Sequence, residues 1–227
     1  MSEEILINVT PRETRVALVE NGMLQEVYVE RASRRGYVGN IYKGRVQRVM
    51  PGMQAAFVEV GLERAAFLHA SDIVRTPSPD IEVPEGAAPT PPINELLHEG
   101  QEVIVQIVKD PIGSKGARLT THLSLPSRYL VLLATSKQIG VSARIEDEVE
   151  RARLKDLMLA LAVEREHGYI VRTNADGVGD EVLKDDITYL QKVWRAVSAR
   201  FAHSKVGDCV YEDLSLPLRS VRDHMRH

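Results

Sequence analysis

Hydrophobic and polar residues alternate with a period of two over residues 39–67, a pattern that predicts β-strands. A Pro51-Gly52 pair interrupts the alternation and predicts a hairpin turn. Similar runs recur further along the chain, and we predict five strands at residues 41–49, 55–60, 65–69, 103–110 and 118–125. Five strands with a long connection after the third indicate a small Greek-key barrel of the OB type.

Residues 4–30 also alternate, and two turns divide them into three short runs. The first turn contains Pro11, and the second is an Asn21-Gly22 pair, which favours a tight hairpin between alternating strands. A three-stranded meander of this size is not stable alone. We therefore expect it to pack against a distant part of the chain.

The remaining segments combine helices with short strands. Six prolines fall within residues 76–92 and predict a flexible excursion, followed by a short helix at 93–99. Apolar residues at spacings of three and four predict helices over 146–166 and from 181 to about 201, with a strand at 169–171 between them. A strand-like segment begins at Cys209. The fold class is therefore α+β with several domains.

Composition limits the classes of protein to consider. The chain has 227 residues, a formal net charge of −3 and one cysteine, which excludes an internal disulfide framework and a cysteine-rich zinc site. Its first residues lack the basic head and apolar run of a signal peptide, and no apolar window approaches the ~20 residues of a membrane span. We expect a cytoplasmic protein.

A first candidate site lies in the predicted barrel. Two of the three phenylalanines, Phe57 and Phe67, occupy corresponding places in successive strands, and six cations with no acidic residue fall within residues 31–48. Aromatic rings beside a basic rim suit single-stranded nucleic acid, because bases stack on the rings and cations follow the phosphates. We take Lys43 and Arg45 as candidate contacts. Alternatively, both rings are core and the charges form a solvated surface.

A second candidate site follows the strand at 169–171. Arg172 and Thr173 end this strand and lead through the glycine-containing loop 174–179 into a helix. An arginine fork, a hydroxyl and turn amides together suit an isolated phosphate. By spacing alone, a surface salt bridge is the commoner role for such an arginine.

Several long blocks in fixed order carry a family resemblance: NIYKGRVQRVMPGMQAAFVEVG, AAFLHASDI, EGQEVIVQIVKDPIGSKGARLTT and LPSRYLVL. Together they resemble the amino-terminal part of the ribonuclease E/G family, from about Ile5 to about Asp223. The resemblance implies an S1-like OB-fold domain (39–125), inserted between the first part of a split RNase H-like subdomain (1–38) and a mixed α/β 5′-sensor subdomain (126–208). Residues 209–227 would begin the return to the split subdomain and pair with the meander.

The resemblance also implies roles for individual residues. By position, Phe57 and Phe67 match the family's RNA-contacting aromatics, and Lys115 matches its basic contact. The 5′ sensor holds the terminal monophosphate of an RNA. Its Arg-Thr pair matches Arg172 and Thr173, and its supporting positions match Ser127, Val131 and Arg144.

Residues for catalysis are not found in the sequence. The family cleaves RNA with paired acidic residues that hold magnesium, and a Cys-x-x-Cys motif that binds zinc links its subunits. Cys209 is the single cysteine, the seven histidines are dispersed, and Asp185-Asp186 is assigned to a helix surface. We therefore expect no cofactor in this chain, with magnesium, zinc and the catalytic domain beyond residue 227. This chain would be the first half of an rRNA- and mRNA-processing endoribonuclease.

Two other interpretations stay open. The chain is a stand-alone, non-catalytic OB-fold RNA-binding protein, or a protein-interaction module that uses the phenylalanines as hydrophobic anchors. Because the return segment is short, the meander could also be left unpaired or form a homodimer by strand exchange. The sequence gives no RNA sequence preference, since stacking surfaces accept most bases.

Overall fold

The computed structural model describes residues 2–74, 91–162 and 166–225. The predicted proline-rich excursion at 76–92 lies outside the described residues except for Pro91 and Pro92, and the predicted end of the first long helix lies partly outside them.

Thirteen strands and four helices are defined within the described residues. The strands are β1 (Glu3–Val9), β2 (Glu13–Glu20), β3 (Met23–Arg31), β4 (Ile41–Met50), β5 (Ala55–Glu59), β6 (Ala66–His69), β7 (Glu102–Lys109), β8 (Arg118–Thr120), β9 (Ser124–Pro126), β10 (Leu130–Leu133), β11 (Ile139–Val141), β12 (Gly168–Val171) and β13 (Cys209–Tyr211). The helices are α1 (Ile93–Leu96), α2 (Glu148–Leu161), α3 (Asp180–His203) and α4 (Leu216–His224).

The first three strands form the predicted antiparallel meander in the order β1-β2-β3. Asn21 and Gly22 both have positive φ (50° and 76°), as the tight turn between β2 and β3 requires. Helix α4 contacts β1 and β2, and Arg219 of α4 pairs with Glu30 of β3 at 3.1 Å. Thus a distant segment does cover one side of the meander. On the other side several apolar residues are exposed, including Val27 (55%) and Leu24 (61%).

The return segment differs from the prediction in its structure. Its strand β13 pairs with β4 of the barrel, and it is the following helix α4 that packs on the meander. Pro217 in the first turn of α4 is compatible with a helix there, because a proline at this place removes a donor that has no intrahelical partner.

The five predicted strands form a closed barrel in which β4 pairs with both β5 and β7. Strands β6 and β8 are parallel and close the remaining gap. Small and branched side chains fill the interior: Val46, Ala56, Val58, Leu68, Val105, Ile107 and Leu119. The fifth predicted strand is divided, because the chain turns after Thr120. Ser124–Pro126 belongs to the next sheet.

That second sheet has the order β11-β12-β10-β9, and α2 and α3 pack against it. Buried residues of the sheet and both helices share one core that includes Leu130, Leu132, Leu154, Met158, Leu183 and Leu190. Ile41 of the barrel and Val210 of β13 belong to the same core, so the barrel and the second sheet are joined by apolar packing. No helix in the described part of the chain is long and apolar enough to span a bilayer.

Candidate nucleic-acid interface

Phe57 and Phe67 lie side by side on the outer surface of the barrel. They are direct cross-strand partners on β5 and β6, and their ring centroids are 6.2 Å apart in an edge-to-face arrangement. Both are half-buried, whereas their sequence neighbours Ala56, Val58, Ala66 and Leu68 fill the core. The rings therefore offer partly exposed faces to a base.

Three cations extend this aromatic pair into a row across the sheet. Arg48 of β4 is the cross-strand partner of Phe57, Arg118 of β8 is the partner of Phe67, and Lys109 of β7 is the partner of Arg118. We call these five residues the barrel row. Such an order places stacking surfaces between charges that can contact phosphates.

Two irregularities in strand pairing create the barrel row. The register shifts between Val46 and Arg48, and again between Ile107 and Lys109. Without the first shift Gln47 would face Phe57, since the pleat alternates side chains strictly. The extra residue instead re-aims Arg48 outward beside the ring, as bulges do.

Arg118 is fixed in place by a carboxylate. Its Nε and Nη2 donate to Oδ2 of Asp72 at 3.0 and 2.9 Å, while its side chain stays 42% exposed. The ring of His69 also contacts that of Phe67, with centroids 6.4 Å apart and an angle of 30° between the ring planes. The ring of Phe67 thus contacts both Phe57 and His69.

The other predicted cations of the barrel differ in their exposure. Lys115 is exposed in the hairpin between β7 and β8, where it bridges to Ile112 through the backbone. Arg45 is half exposed and lies 3.5 Å from Glu102. Lys43 is only 12% exposed, because its ammonium lies 3.0 Å from Glu102 and over the ring of Phe201. The structure places Lys43 in an internal contact.

Arg172 lies at the end of β12, as the sequence predicts, and is held by one nitrogen. Its Nη1 donates to the carbonyl of Ser127 at 2.5 Å and to Oδ1 of Asp223 at 2.7 Å. Within residues 2–74, 91–162 and 166–225 no hydrogen bond involves its Nη2 or Nε. The salt bridge that spacing alone favoured for this arginine is therefore present. It uses Nη1 and leaves Nη2 and Nε without a hydrogen bond among the described residues, and these two nitrogens form an edge that can bind an oxyanion bidentately.

The Asp223 carboxylate is shared between two arginines. Arg222 donates through Nε and Nη2 to its two oxygens, each at 3.0 Å. Burial favours a higher pKa for Asp223, but the hydrogen bonds from Arg222 and Arg172 outweigh burial and bring the pKa below its usual value. Asp223 is consequently ionised at neutral pH.

Ser127 begins the tight turn between β9 and β10. It is 3% exposed, and its hydroxyl donates to the carboxylate of Asp186, which also accepts from the backbone N–H groups of Tyr129 and Leu130 at 3.2 and 3.0 Å. Burial raises the pKa of Asp186. The sequence assigned Asp186 to a helix surface, and the structure corrects this: it faces the turn from α3.

Arg172 and Thr173 line a cleft of about 830 Å³ between the second sheet, the meander and α4. Thr173 is exposed, and Asn174 ties its loop to α4 by donating to the carbonyl of Asp223 at 2.9 Å. Five carboxylates and two arginines line this cleft, and the carboxylates are Glu3, Glu4, Glu20, Asp176 and Asp223. The cleft thus offers a few cationic donors within an acidic surround.

Three predicted 5′-phosphate contacts, Ser127, Val131 and Arg144, do not line this cleft, although the buried Ser127 supports Arg172 through its carbonyl. Val131 is half-buried on β10, opposite Pro126 and Ile170. Arg144 is exposed beyond β11, where its N–H donates to the hydroxyl of Ser142. The structure therefore brings together Arg172, Thr173 and the carbonyl of Ser127.

Among the described residues, no three His, Cys, Asp or Glu side chains are grouped so that they could hold a metal ion. Cys209 is exposed and not in a disulfide.

Comparison with known proteins decides the family. Residues 37–110 match the model of the S1 RNA binding domain, and residues 124–227 match that of the Ribonuclease E/G family. Ribonuclease G from Escherichia coli (strain K12) is 51% identical over 227 residues, which is 98% of this chain and 45% of that protein. The chain belongs to the ribonuclease E/G family.

Other members of the ribonuclease E/G family are also similar to this chain over nearly its whole length. Ribonuclease G from Haemophilus influenzae is 51% identical over 220 residues, 97% of this chain and 45% of that protein. Ribonuclease E from Escherichia coli (strain K12) is 37% identical over 226 residues, 99% of this chain and 21% of that protein. The chain thus spans less than half the length of these curated relatives, and it carries the S1 RNA-binding domain of the family.

Sequence reasoning did not find several members of the two sites. Arg118 and Lys109 join the barrel row through strand register. From helices far along the chain, Asp223 reaches the cleft and Asp186 reaches the turn that supports Arg172. The sequence contains a weak indication for Arg118, because it is a basic residue at an outward position of a predicted barrel strand. No local pattern indicates the two aspartates.

Proposed function

We propose that this chain is the RNA-binding and 5′-monophosphate-sensing amino-terminal half of a magnesium-dependent endoribonuclease that processes rRNA and mRNA. By itself it binds single-stranded RNA and does not cleave it. The observation that carries the proposal is the guanidinium of Arg172, which is fixed through Nη1 in a cleft and leaves its Nη2–Nε edge for a ligand.

The body of the RNA would lie along the barrel row. Phe57 and Phe67 supply ring faces for bases, and Arg48 and Lys109 are exposed cations at the two ends. Stacking on such rings tolerates every base, so this contact gives affinity with little sequence preference.

The leading end of the same strand would enter the cleft. A terminal monophosphate can accept from the Nη2–Nε edge of Arg172 and from the hydroxyl of Thr173. A triphosphate carries more charge into a cleft lined by five carboxylates, and a 5′-hydroxyl offers no anion. The cleft would therefore discriminate partly through what it repels.

Two contacts with one RNA strand give a higher affinity than either contact alone. Once the barrel row holds the RNA, the terminal phosphate meets the cleft at a high effective concentration. Hydrolysis would need the magnesium-binding carboxylates and the zinc-binding cysteines that we place in the remainder of the longer protein.

A titration of the 227-residue chain with labelled ten-nucleotide RNAs tests the proposal. The RNAs share one unstructured sequence and differ only in a 5′-monophosphate or a 5′-hydroxyl. We expect the phosphorylated RNA to bind about tenfold more tightly, a typical return for one charge-assisted contact. In magnesium buffer both RNAs should stay intact.

Equal dissociation constants for the two RNAs would reject 5′-end sensing and leave an OB-fold RNA-binding protein. Affinity that does not fall with salt would reject RNA binding through phosphates altogether, because released counterions make such binding salt-dependent.

A further inference from the structure

The carboxylate of Asp186 is the centre of a small polar network on the inner side of α3. One oxygen, Oδ2, accepts from the hydroxyl of Ser127 and from two backbone N–H groups, those of Tyr129 and Leu130. These donors all belong to the four-residue turn 127–130. A single side chain of α3 therefore adds three hydrogen bonds to a turn nearly sixty positions away in sequence, beside the turn's own bonds between Ser127 and Leu130.

That turn is also the support of Arg172. The carbonyl of Ser127 accepts from Nη1 of Arg172 at 2.5 Å, and the carbonyl of Tyr129 accepts from the backbone N–H of Arg172 at 2.8 Å. Both the side chain and the main chain of Arg172 are thus held by hydrogen bonds to the same turn. Any change in the turn would move the guanidinium.

Packing alone gives little reason for a carboxylate at this position. Ile187, the next residue of α3, is 7% exposed in the apolar core, and burial already disfavours the charged form of Asp186. Burying a charge costs free energy unless hydrogen bonds compensate for the lost water. The three donors that converge on Asp186 indicate a requirement for geometry.

We infer that Asp186 is a positioning residue for the 5′-phosphate: by holding the turn 127–130, it sets the orientation in which Arg172 presents its Nη2–Nε edge. This inference rests on the proposed function of the cleft. Asp186 acts on Arg172 through the turn and through the attraction between their charges, and it would not touch the RNA.

The test compares Asp186→Ala and Asp186→Asn with the parent chain, using the 5′-phosphorylated and 5′-hydroxyl RNAs. We expect Asp186→Ala to lower the preference for the phosphorylated RNA about tenfold, because the turn loses the three hydrogen bonds that it donates to Asp186. Asp186→Asn keeps the shape and one acceptor, so it should retain part of the preference. Affinity for the 5′-hydroxyl RNA should change less than about twofold in both variants.

Ile187→Val serves as the matched control. It removes one methylene from the residue next to Asp186 in α3 and weakens the core, while Asp186 and its three hydrogen bonds to the 127–130 turn are kept. We expect it to lower the melting temperature while leaving the preference for the phosphorylated RNA unchanged. An equal loss of preference in Ile187→Val would assign the effect to general destabilisation and overturn the inference.

A second measurement separates failure of the inference from failure of the proposed function. The Nε–Hε group of Arg172 gives its own ¹H–¹⁵N signal, assigned by its loss in Arg172→Lys, and its heteronuclear NOE reports how rigidly the guanidinium is held. We expect a high NOE in the parent and a low one in Asp186→Ala, in the absence of RNA. If the parent shows no 5′-phosphate preference, the proposed function fails while this NOE still decides the inference.

Two results would contradict the positioning role: a preference in Asp186→Ala equal to that of the parent, or an unchanged NOE at Arg172. If Asp186→Ala does not fold, Asp186→Asn carries the same two criteria, with a partial loss in each expected.

Discussion

The barrel row and the Arg172 cleft are built in different ways. The barrel row consists of outward side chains placed by strand register, and Arg48, Lys109 and the two rings need few partners to stay in place. In the cleft, Arg172 is fixed by the Ser127 carbonyl and by Asp223, and these have supports of their own. A surface that only has to stack bases can be open, whereas a site that distinguishes one chemical end group needs fixed donors.

The largest effect should come from removing both rings of the barrel row. Phe57→Ala together with Phe67→Ala should weaken binding of 5′-phosphorylated and 5′-hydroxyl RNA alike, by about 1–3 kcal/mol for each lost stack. Fluorescence anisotropy measures both affinities, and circular dichroism checks the fold. Leu218→Ala, at an exposed apolar residue of α4, is the control. If the variant unfolds, or if it binds RNA as tightly as the parent, the two rings have a structural role and do not bind bases.

Arg172→Ala should have the next largest effect and should act on one RNA only. We expect it to abolish the roughly tenfold advantage of the 5′-phosphorylated RNA, about 1.4 kcal/mol, with the 5′-hydroxyl RNA unaffected. Arg172→Lys should recover little, because an ammonium cannot present the same planar edge. Arg144→Ala, outside the cleft, should change the preference less. A loss that is equal for both RNAs would place Arg172 on the general RNA path.

Smaller changes are expected from single cations around the barrel. Removing an exposed cation that contacts a phosphate lowers the slope of log affinity against log salt by about 0.7 for a single strand. We expect this for Lys115→Ala, Lys109→Ala and Arg48→Ala, measured between low and moderate salt. Lys43→Ala should leave the slope unchanged, since Lys43 is enclosed by Glu102 and Phe201. An unchanged slope for Lys115→Ala would remove Lys115 from the phosphate path.

The smallest expected effect concerns the hydrogen bond that joins the loop 174–179, beside the cleft, to helix α2. Glu150 pairs with Arg153 and accepts from the N–H of Gly177 at 2.9 Å, and these bonds hold its pKa at about 2, below its usual value of 4.5. A carboxyl with a depressed folded-state pKa stabilises the fold above about pH 4.5, and this contribution is lost as the pH falls toward 2.

The melting temperature of the parent should therefore exceed that of Glu150→Gln near neutral pH, and the two curves should converge as the pH approaches 2. Asp156→Asn, on the exposed face of the same helix, should follow the parent throughout. A difference that grows with acidity would contradict the sign of this argument.

Sequence patterns predicted most of the fold because its elements are regular. The period of two located all five barrel strands, and the spacing of three and four located α2 and α3 to within a few residues. The division of the fifth strand was missed, since residues 121–123 remain partly apolar while the backbone turns between two sheets. The strand-like start at Cys209 is strand β13, whereas the helix α4 that follows was not predicted.

The sites were less accessible to sequence reasoning, for a physical reason in each case. Periodicity put Phe57 and Phe67 on corresponding strands, but the bulges that bring Arg48 and Lys109 into the row shift the register by one residue, which no pattern of residue types encodes. Arg172 and Thr173 followed from their place after a strand. The two aspartates join the site only through tertiary contacts. Asp186 is 59 residues from its partner Ser127, and Asp223 is 51 residues from its partner Arg172.

Amide hydrogen exchange tests most directly whether one RNA strand engages both regions. With a saturating 5′-phosphorylated RNA in a one-to-one complex, we predict slower exchange both in β5 and β6 around Phe57 and Phe67 and in the segments around Ser127 and Thr173. The 5′-hydroxyl RNA should slow exchange in the barrel alone. Equal protection of the Ser127 and Thr173 segments by both RNAs, or protection of neither region, would contradict the account.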